Sequence, residues 1–281
     1  MKLVILFATS CMLGLCFFSS CSDNDQHKKE NKIGHHLKTD IEEFGIKGNV
    51  KVVKQEEFFI GNSEDEIGIR TGLNSFSYKF DEIGNRIEEQ YYDSVAIISR
   101  KSEYLFSRDN QKKNGKKIKD LNNNLLNFYR YEYDEFGRIV KINITDYEGT
   151  EKFDYYKTSE YDNNGNEIKS ITYSPSGEKF QSAEYQYQNN LKVKTTLYDN
   201  MDSPYAICEF KYNQRNDVIR EIFHDGNGLL FEEYTADYVY DDKNNWIKKM
   251  YSLEKKHTKS SSNSNRNPGV QTITIRTITY Y

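Results

Sequence analysis

The chain has 281 residues, 36% hydrophobic and 29% charged, with a formal net charge of −4. Soluble domains usually hold about 45–50% apolar residues, which argues against a thick aliphatic core. The 23 Tyr and 16 Phe instead suit a thin sheet with one half-wet face. No basic stripe is present, so a nucleic-acid partner is not expected.

Residues 1–20 read as a secretory signal, with Lys2 followed by an apolar run from Leu3 to Phe18. The run is shorter than the ~20 residues a stable membrane span needs. It closes on Phe18-Ser19-Ser20-Cys21, similar to the lipobox of bacterial lipoproteins, which makes Cys21 the expected lipidation site. Cleavage there removes Cys11 and Cys16 and leaves Cys208 without a disulfide partner to make. The acids of "SDNDQ", directly after Cys21, resemble a signal for the outer face of the outer membrane. Residues 21–38 then read as a flexible tether. His35-His36 lies within it and has no Cys or carboxylate at ligand spacing, so no metal is expected.

Thr39 to Gly45 reads as one or two helical turns: Thr39 caps, Glu42 completes a capping box and Gly45 stops the helix. From there to the end of the chain the pattern is strand and turn. Aromatic anchors precede turns at Phe80, Phe106, Tyr133, Tyr161, Tyr187, Tyr212 and Tyr240, at intervals of 26, 27, 28, 26, 25 and 28 residues. A repeat of that length signals a stacked architecture. In each unit a strand runs into an Asp/Asn-x-x-Gly turn, and another leaves with an aliphatic seven residues after the anchor. A second, more variable turn closes the unit, as in "SPSGE" or "DNMDS". The units at Tyr187 and Tyr212 lose both Asp and Gly. "KKNGKKIK" (112–119) reads as a solvated hairpin tip, with phosphate binding as the alternative. The long polar loop 255–270 precedes a last strand, "QTITIRTITYY", read as capping an exposed sheet edge.

These units resemble the YD (Rhs-type) repeat family, with the pattern aromatic-x-Tyr-Asp-x-x-Gly-x-hydrophobic. The likeness is clearest at 78–87, 131–140 and 159–168. "FGIKGNVKVV" (44–53) and "RTITYY" (276–281) look like the first and last strands of small bacterial lipoproteins carrying it. About seven units are too few for the large shell of the bigger relatives. The expected fold is therefore all-β: an antiparallel meander of about 14 strands in ~27-residue hairpin repeats. It forms a curved open or rolled sheet after a short helical turn and occupies residues 39–281.

No G-x-S-x-G, H-E-x-x-H, P-loop or dinucleotide fingerprint occurs, and no cofactor is expected. "HDGNGLL" (224–230) fails as a calcium loop because Leu229 stands at position five. Cys208 reads as a small core filler. Asp93-Ser94-Val95 looks like an O-glycosylation acceptor, with Ser94 as the modified residue. The expected function is a non-enzymatic, lipid-anchored outer-membrane protein offering a β surface to a glycan or another envelope protein. Trp246 and exposed tyrosines are the expected sugar contacts. Two alternatives stay open: a glycan-active hydrolase with convergent carboxylates, and a purely structural protein.

Overall fold

The computed structural model describes residues 39–60, 67–71, 74–107, 112–145, 154–256 and 269–281. The signal, Cys21, the tether and His35-His36 lie outside the described residues. Among these residues a short helix, α1 (Asp40–Glu43), precedes seventeen strands: β1 (Val50–Ile60), β2 (Ile67–Arg70), β3 (Phe76–Phe80), β4 (Arg86–Tyr92), β5 (Ile98–Phe106) and β6 (Lys113–Lys119). They continue as β7 (Leu125–Tyr133), β8 (Ile139–Thr145), β9 (Tyr155–Tyr161), β10 (Glu167–Tyr173), β11 (Lys179–Gln188) and β12 (Leu191–Tyr198). The last are β13 (Pro204–Tyr212), β14 (Val218–Asp225), β15 (Leu230–Tyr240), β16 (Trp246–Lys256) and β17 (Gly269–Tyr280).

Successive strands from β3 to β17 pair antiparallel, and β1 joins β3 on one side and β17 on the other. The sheet is thus a closed barrel of sixteen strands, with β2 a short ribbon against the end of β1. This corrects both the count of about fourteen and the open or rolled sheet. The overturning contact is the run of β1–β17 pairs from Val50↔Tyr280 to Phe59↔Thr272. The first and last strands do not cap exposed edges. They satisfy each other's backbone groups, as closure requires.

Turn chemistry explains the regularity. Ten five-residue turns, beginning at Asp81, Asp93, Asp120, Asp134, Asp162, Ser174, Asp199, Asn213, Asp225 and Asp241, share one backbone pattern among the described residues. The first residue donates its N–H to the carbonyl of the fifth and accepts from the N–H of the fourth. At Asp162 the Oδ1 also accepts from Asn164 N and Asn166 N at 2.9 and 2.8 Å, closing the turn from its side chain. The fourth position has positive φ throughout, from Gly165 at 82° to Asn216 at 65° and Asn244 at 61°, a region that Gly and Asn enter most readily. Among the described residues the "variable" second turn is therefore variable in sequence only. At Tyr212 Asn213 replaces Asp and Asn216 replaces Gly. At Tyr187 a two-residue turn forms, with Asn189 and Asn190 at φ 52° and 60°.

The capping box of α1 is present: Thr39 N donates to Glu42 Oε2 at 2.7 Å, and Glu42 N donates back to Thr39 Oγ1 at 3.4 Å. α1 packs Ile41 onto Val50, Val53, Phe76, Tyr78 and Phe80, with Phe44 against the same cluster. Its amide at Ile41 donates to Gly84 O at 3.1 Å, so the helix sits against the mouth formed by the 81–85 turn.

Candidate functional site: the inner wall of the barrel

Strand register assigns the paired strand residues to one wall or the other. The anchor aromatics Phe80, Phe106, Tyr133, Tyr161, Tyr187, Tyr212 and Tyr240 share one face with Tyr78, Glu89 and Arg276. This face holds the buried cluster under α1, so it is the inner wall. A barrel of sixteen strands is too wide for a single layer of side chains to fill, and inward residues such as Tyr131, Lys157 and Thr172 keep intermediate exposure.

The anchor tyrosines do more than bury rings. Tyr161 OH donates to Ile139 O at 2.7 Å, Tyr187 OH to Glu167 O at 3.0 Å and Tyr212 OH to Lys192 O at 2.6 Å, while Tyr133 OH donates to Lys113 O. Each acceptor is the first residue of a β-bulge, where the ladder skips one position of the strand leaving the previous turn. The hydroxyl of one unit thus satisfies the displaced carbonyl of the unit before it. Tyr238 makes this bond for the sixth unit, to Val218 O at 2.6 Å. Tyr240 instead donates to Asp217 Oδ2 at 2.7 Å. Sequence reading found the aromatic ring but missed the hydroxyl's task, because its acceptor lies about 20 residues away on a bulge that only the fold creates.

The densest polar cluster lies on β4, β5 and β6. Glu89 is 1% exposed. Its Oε1 accepts from Tyr104 OH at 2.5 Å and pairs with Arg86 Nη1 at 3.2 Å; its Oε2 accepts from Tyr91 OH at 3.2 Å and pairs with Lys116 Nζ at 3.4 Å. Burial pushes this carboxyl up, but Lys116 and Arg86 outweigh it and hold it at about 2. Burial pulls Lys116 and Lys113 below the usual lysine range, and Glu89 and Asp40 restore only part of it. Lys113 pairs with Asp40 of α1 and lies 4.4 Å from the centroid of Tyr104, and Arg86 lies 4.6 Å from that of Tyr78. "KKNGKKIK" is therefore a strand with Lys113 and Lys116 facing inward, not a hairpin tip.

Elsewhere on the inner wall, Arg276 is 8% exposed, lies 3.4 Å from the centroid of the Trp246 ring and donates Nε–H to Gln55 Oε1 at 2.9 Å. Burial pulls its guanidinium down. Trp246 also meets Tyr238 edge-on at 5.8 Å. It faces the lumen beneath an arginine, so a sugar on the outer surface does not reach it. Cys208 packs beside Phe223, Tyr234 and Leu253, as a core filler would. Ser94 is exposed at the tip of the 93–97 turn, where the Asp93 carboxylate is engaged in holding the turn. Asp225 plays the same turn role in "HDGNGLL". Asp217 is the carboxyl that burial pushes up, and Tyr240 and Asn213 counter part of that rise. Its side chain bonds Tyr240 and Asn213, a tyrosine and an amide, rather than a second acid. Among the described residues no group of three or more His, Cys, Asp or Glu converges as a metal site.

The outer wall is different in kind. Opposite charges face each other across neighbouring strands: Lys79↔Glu88, Glu103↔Lys117, Glu132↔Lys141, Glu160↔Lys169, Lys169↔Glu184 and Lys194↔Glu209. Lys119–Glu103 closes to 2.9 Å and Arg220–Glu233 to 2.6 Å. This charged lattice runs around the barrel.

No protein-family model and no curated protein matches the chain. Among solved structures, a porin-like protein from Bacteroides uniformis ATCC 8492 is similar at 9% identity, with a TM-score of 0.52 over 82% of this chain and 96% of that one. A porin-like protein from Bacteroides vulgatus ATCC 8482 reaches 11% identity and a TM-score of 0.33 over 83% and 99%. The Photorhabdus luminescens Tc holotoxin pore reaches 12% and 0.31 over 72% and 13%. The first shows a shared barrel fold and nothing about activity; the other two carry no argument.

Proposed function

We infer that this chain is a non-enzymatic, lipid-anchored protein of the bacterial envelope whose barrel stands in water beside a membrane and binds a partner there. An envelope setting fits both the signal-like start of the sequence and the barrel fold shared with a porin-like protein. Cys21 would carry the acyl anchor, and residues 22–38 would give the barrel reach from the bilayer. The YD-type repeat resemblance fits a binding scaffold.

The observation that carries the reading is the charged outer wall. A barrel that spans a bilayer shows lipid an apolar band, and each Lys or Arg at mid-depth costs about 2–4 kcal/mol. Here Lys54, Lys101, Lys117, Arg130, Lys141, Lys169, Lys194, Arg220 and Lys248 all occupy outward positions. Together they make insertion prohibitive. The polar surface is inverted relative to a channel in lipid, and the tyrosine-rich wall is kept for the interior.

The test is to express residues 22–281 without the signal, beside the full chain and its Cys21→Ala variant. The short form should be monodisperse in detergent-free buffer and produce no conductance steps in planar bilayers. The full chain should partition with membranes and the variant should not. A short form that needs detergent, or that opens channels, would overturn the reading. Membrane partition unchanged by Cys21→Ala would remove the anchor alone.

A further inference from the structure

We propose that the inner wall on β4–β6 is a binding site for an oxyanion, a carboxylate or sulfate group entering the lumen. The site extends the reading of the chain as a binder and does not depend on its anchor. Four cations gather there, Arg86, Arg100, Lys113 and Lys116, against two carboxylates in direct contact, Glu89 and Asp40.

The arrangement is layered. The Glu89 side chain is 2% exposed, whereas those of Arg86 and Lys116 keep 18% and that of Lys113 keeps 16%. The acid lies at the bottom and the positive groups face the lumen above it. Asp40 is shared further, since its Oδ2 also accepts from Arg86 N at 2.5 Å.

Two of the cations lack a full set of partners. Arg86 Nε is buried and makes no hydrogen bond among the described residues. Arg100 is exposed, lies 4.4 Å from the centroid of Tyr91 and forms no ion pair among the described residues. The Tyr91 face stabilises Arg100 through the ring quadrupole but leaves its outward N–H groups available. A carboxylate or a sulfate fits those groups, since either offers two oxygens that one Arg grips in two-pronged fashion. Glu43 of α1 is a further acid that Lys113 feels, and it is exposed to water.

The experiment uses the anchor-free chain (22–281) in low-salt buffer, with calorimetry and thermal unfolding. The probes are inorganic sulfate, a tetramer of galacturonic acid and neutral maltotetraose. The two anions should bind and raise Tm, and the neutral sugar should do neither. Arg100→Gln and Lys116→Gln should each weaken anion binding at least tenfold, while Lys119→Gln on the outer wall leaves it unchanged. Arg100→Gln keeps the test decisive should Lys116→Gln unfold, because Arg100 forms no buried pair. If the tetramer binds at least tenfold tighter than sulfate, the site serves an acidic saccharide; equal affinities assign it to a free oxyanion. If neither anion binds more tightly than maltotetraose, or if Arg100→Gln binds like the unaltered chain, the site is refuted. Either result leaves the placement of the barrel in water untouched.

Discussion

Glu89 and Glu103 lie on neighbouring strands, β4 and β5, and each meets a lysine of β6, one inside the barrel and one outside. Lys116 stands 3.4 Å from Glu89, whose side chain is 2% exposed, and Lys119 stands 2.9 Å from Glu103, whose side chain is 54% exposed. The longer pair matters more. Inside, two cations and two tyrosine hydroxyls surround a carboxylate that water does not reach, so losing any partner leaves buried charge uncompensated. Outside, water screens the contact and replaces a lost partner cheaply. One alternation of lysine and glutamate thus serves two ends: inside it fixes a buried cluster, and outside it lays a charged lattice over the wall.

The largest expected effect is Glu89→Gln, which should destabilise the barrel by about 3–5 kcal/mol because Lys116 and Arg86 lose their shared anion. Denaturant unfolding measures it, and a loss below that of Glu103→Gln would invert the comparison. The same pair of proteins gives a pH signature. The Glu89 carboxyl is depressed in the fold from an ordinary value of 4.5 to about 2. Its stabilisation is therefore complete above about pH 4.5 and is lost as pH falls through about 2. The stability gap between the unaltered chain and Glu89→Gln should narrow steadily over that window, and a gap that stays constant would contradict the burial argument.

Intermediate effects come from the repeat itself. Tyr161→Phe and Tyr187→Phe keep the ring and remove the bond to the bulge carbonyl, so each should cost about 1 kcal/mol in unfolding experiments. Gly165→Ala should cost a similar amount, about 1–2 kcal/mol. A Cβ there meets nothing within 4 Å, so only the φ of +82° resists it. Gly165→Asn should be milder, since Asn123, Asn216 and Asn244 hold the same turn position. If Ala proves as mild as Asn, the positive φ is not what selects the residue. The smallest effect is Glu103→Gln or Lys119→Gln on the outer wall, at most about 0.5 kcal/mol and vanishing in high salt.

Much of the fold was legible because its rules are local. The recurring aromatic, the Asp that folds back onto its own turn and the Gly or Asn at positive φ act within five residues, and so does the Thr39–Glu42 capping box. Even the apparent lapse at Tyr212 was a change of letters, with Asn213 and Asn216 keeping the geometry. The candidate site was far less legible. Lys113 and Lys116 looked like a solvated tip because the strand they occupy lacks an aliphatic alternation. Trp246 looked like a surface platform because nothing near it in sequence announces Arg276. The contacts Lys116–Glu89, Trp246–Arg276 and Lys113–Asp40 cross 27, 30 and 73 positions, and no local pattern encodes them.

The sequence alone determined the unit: a hairpin with a tyrosine on one face and a turn that resets the register every ~27 residues. Tertiary structure decided that sixteen strands close on themselves, which wall faces inward and which charges meet there. Closure depends on twist summed over every unit until β17 lies beside β1, and a sum over the whole chain leaves no mark in any one stretch of residues.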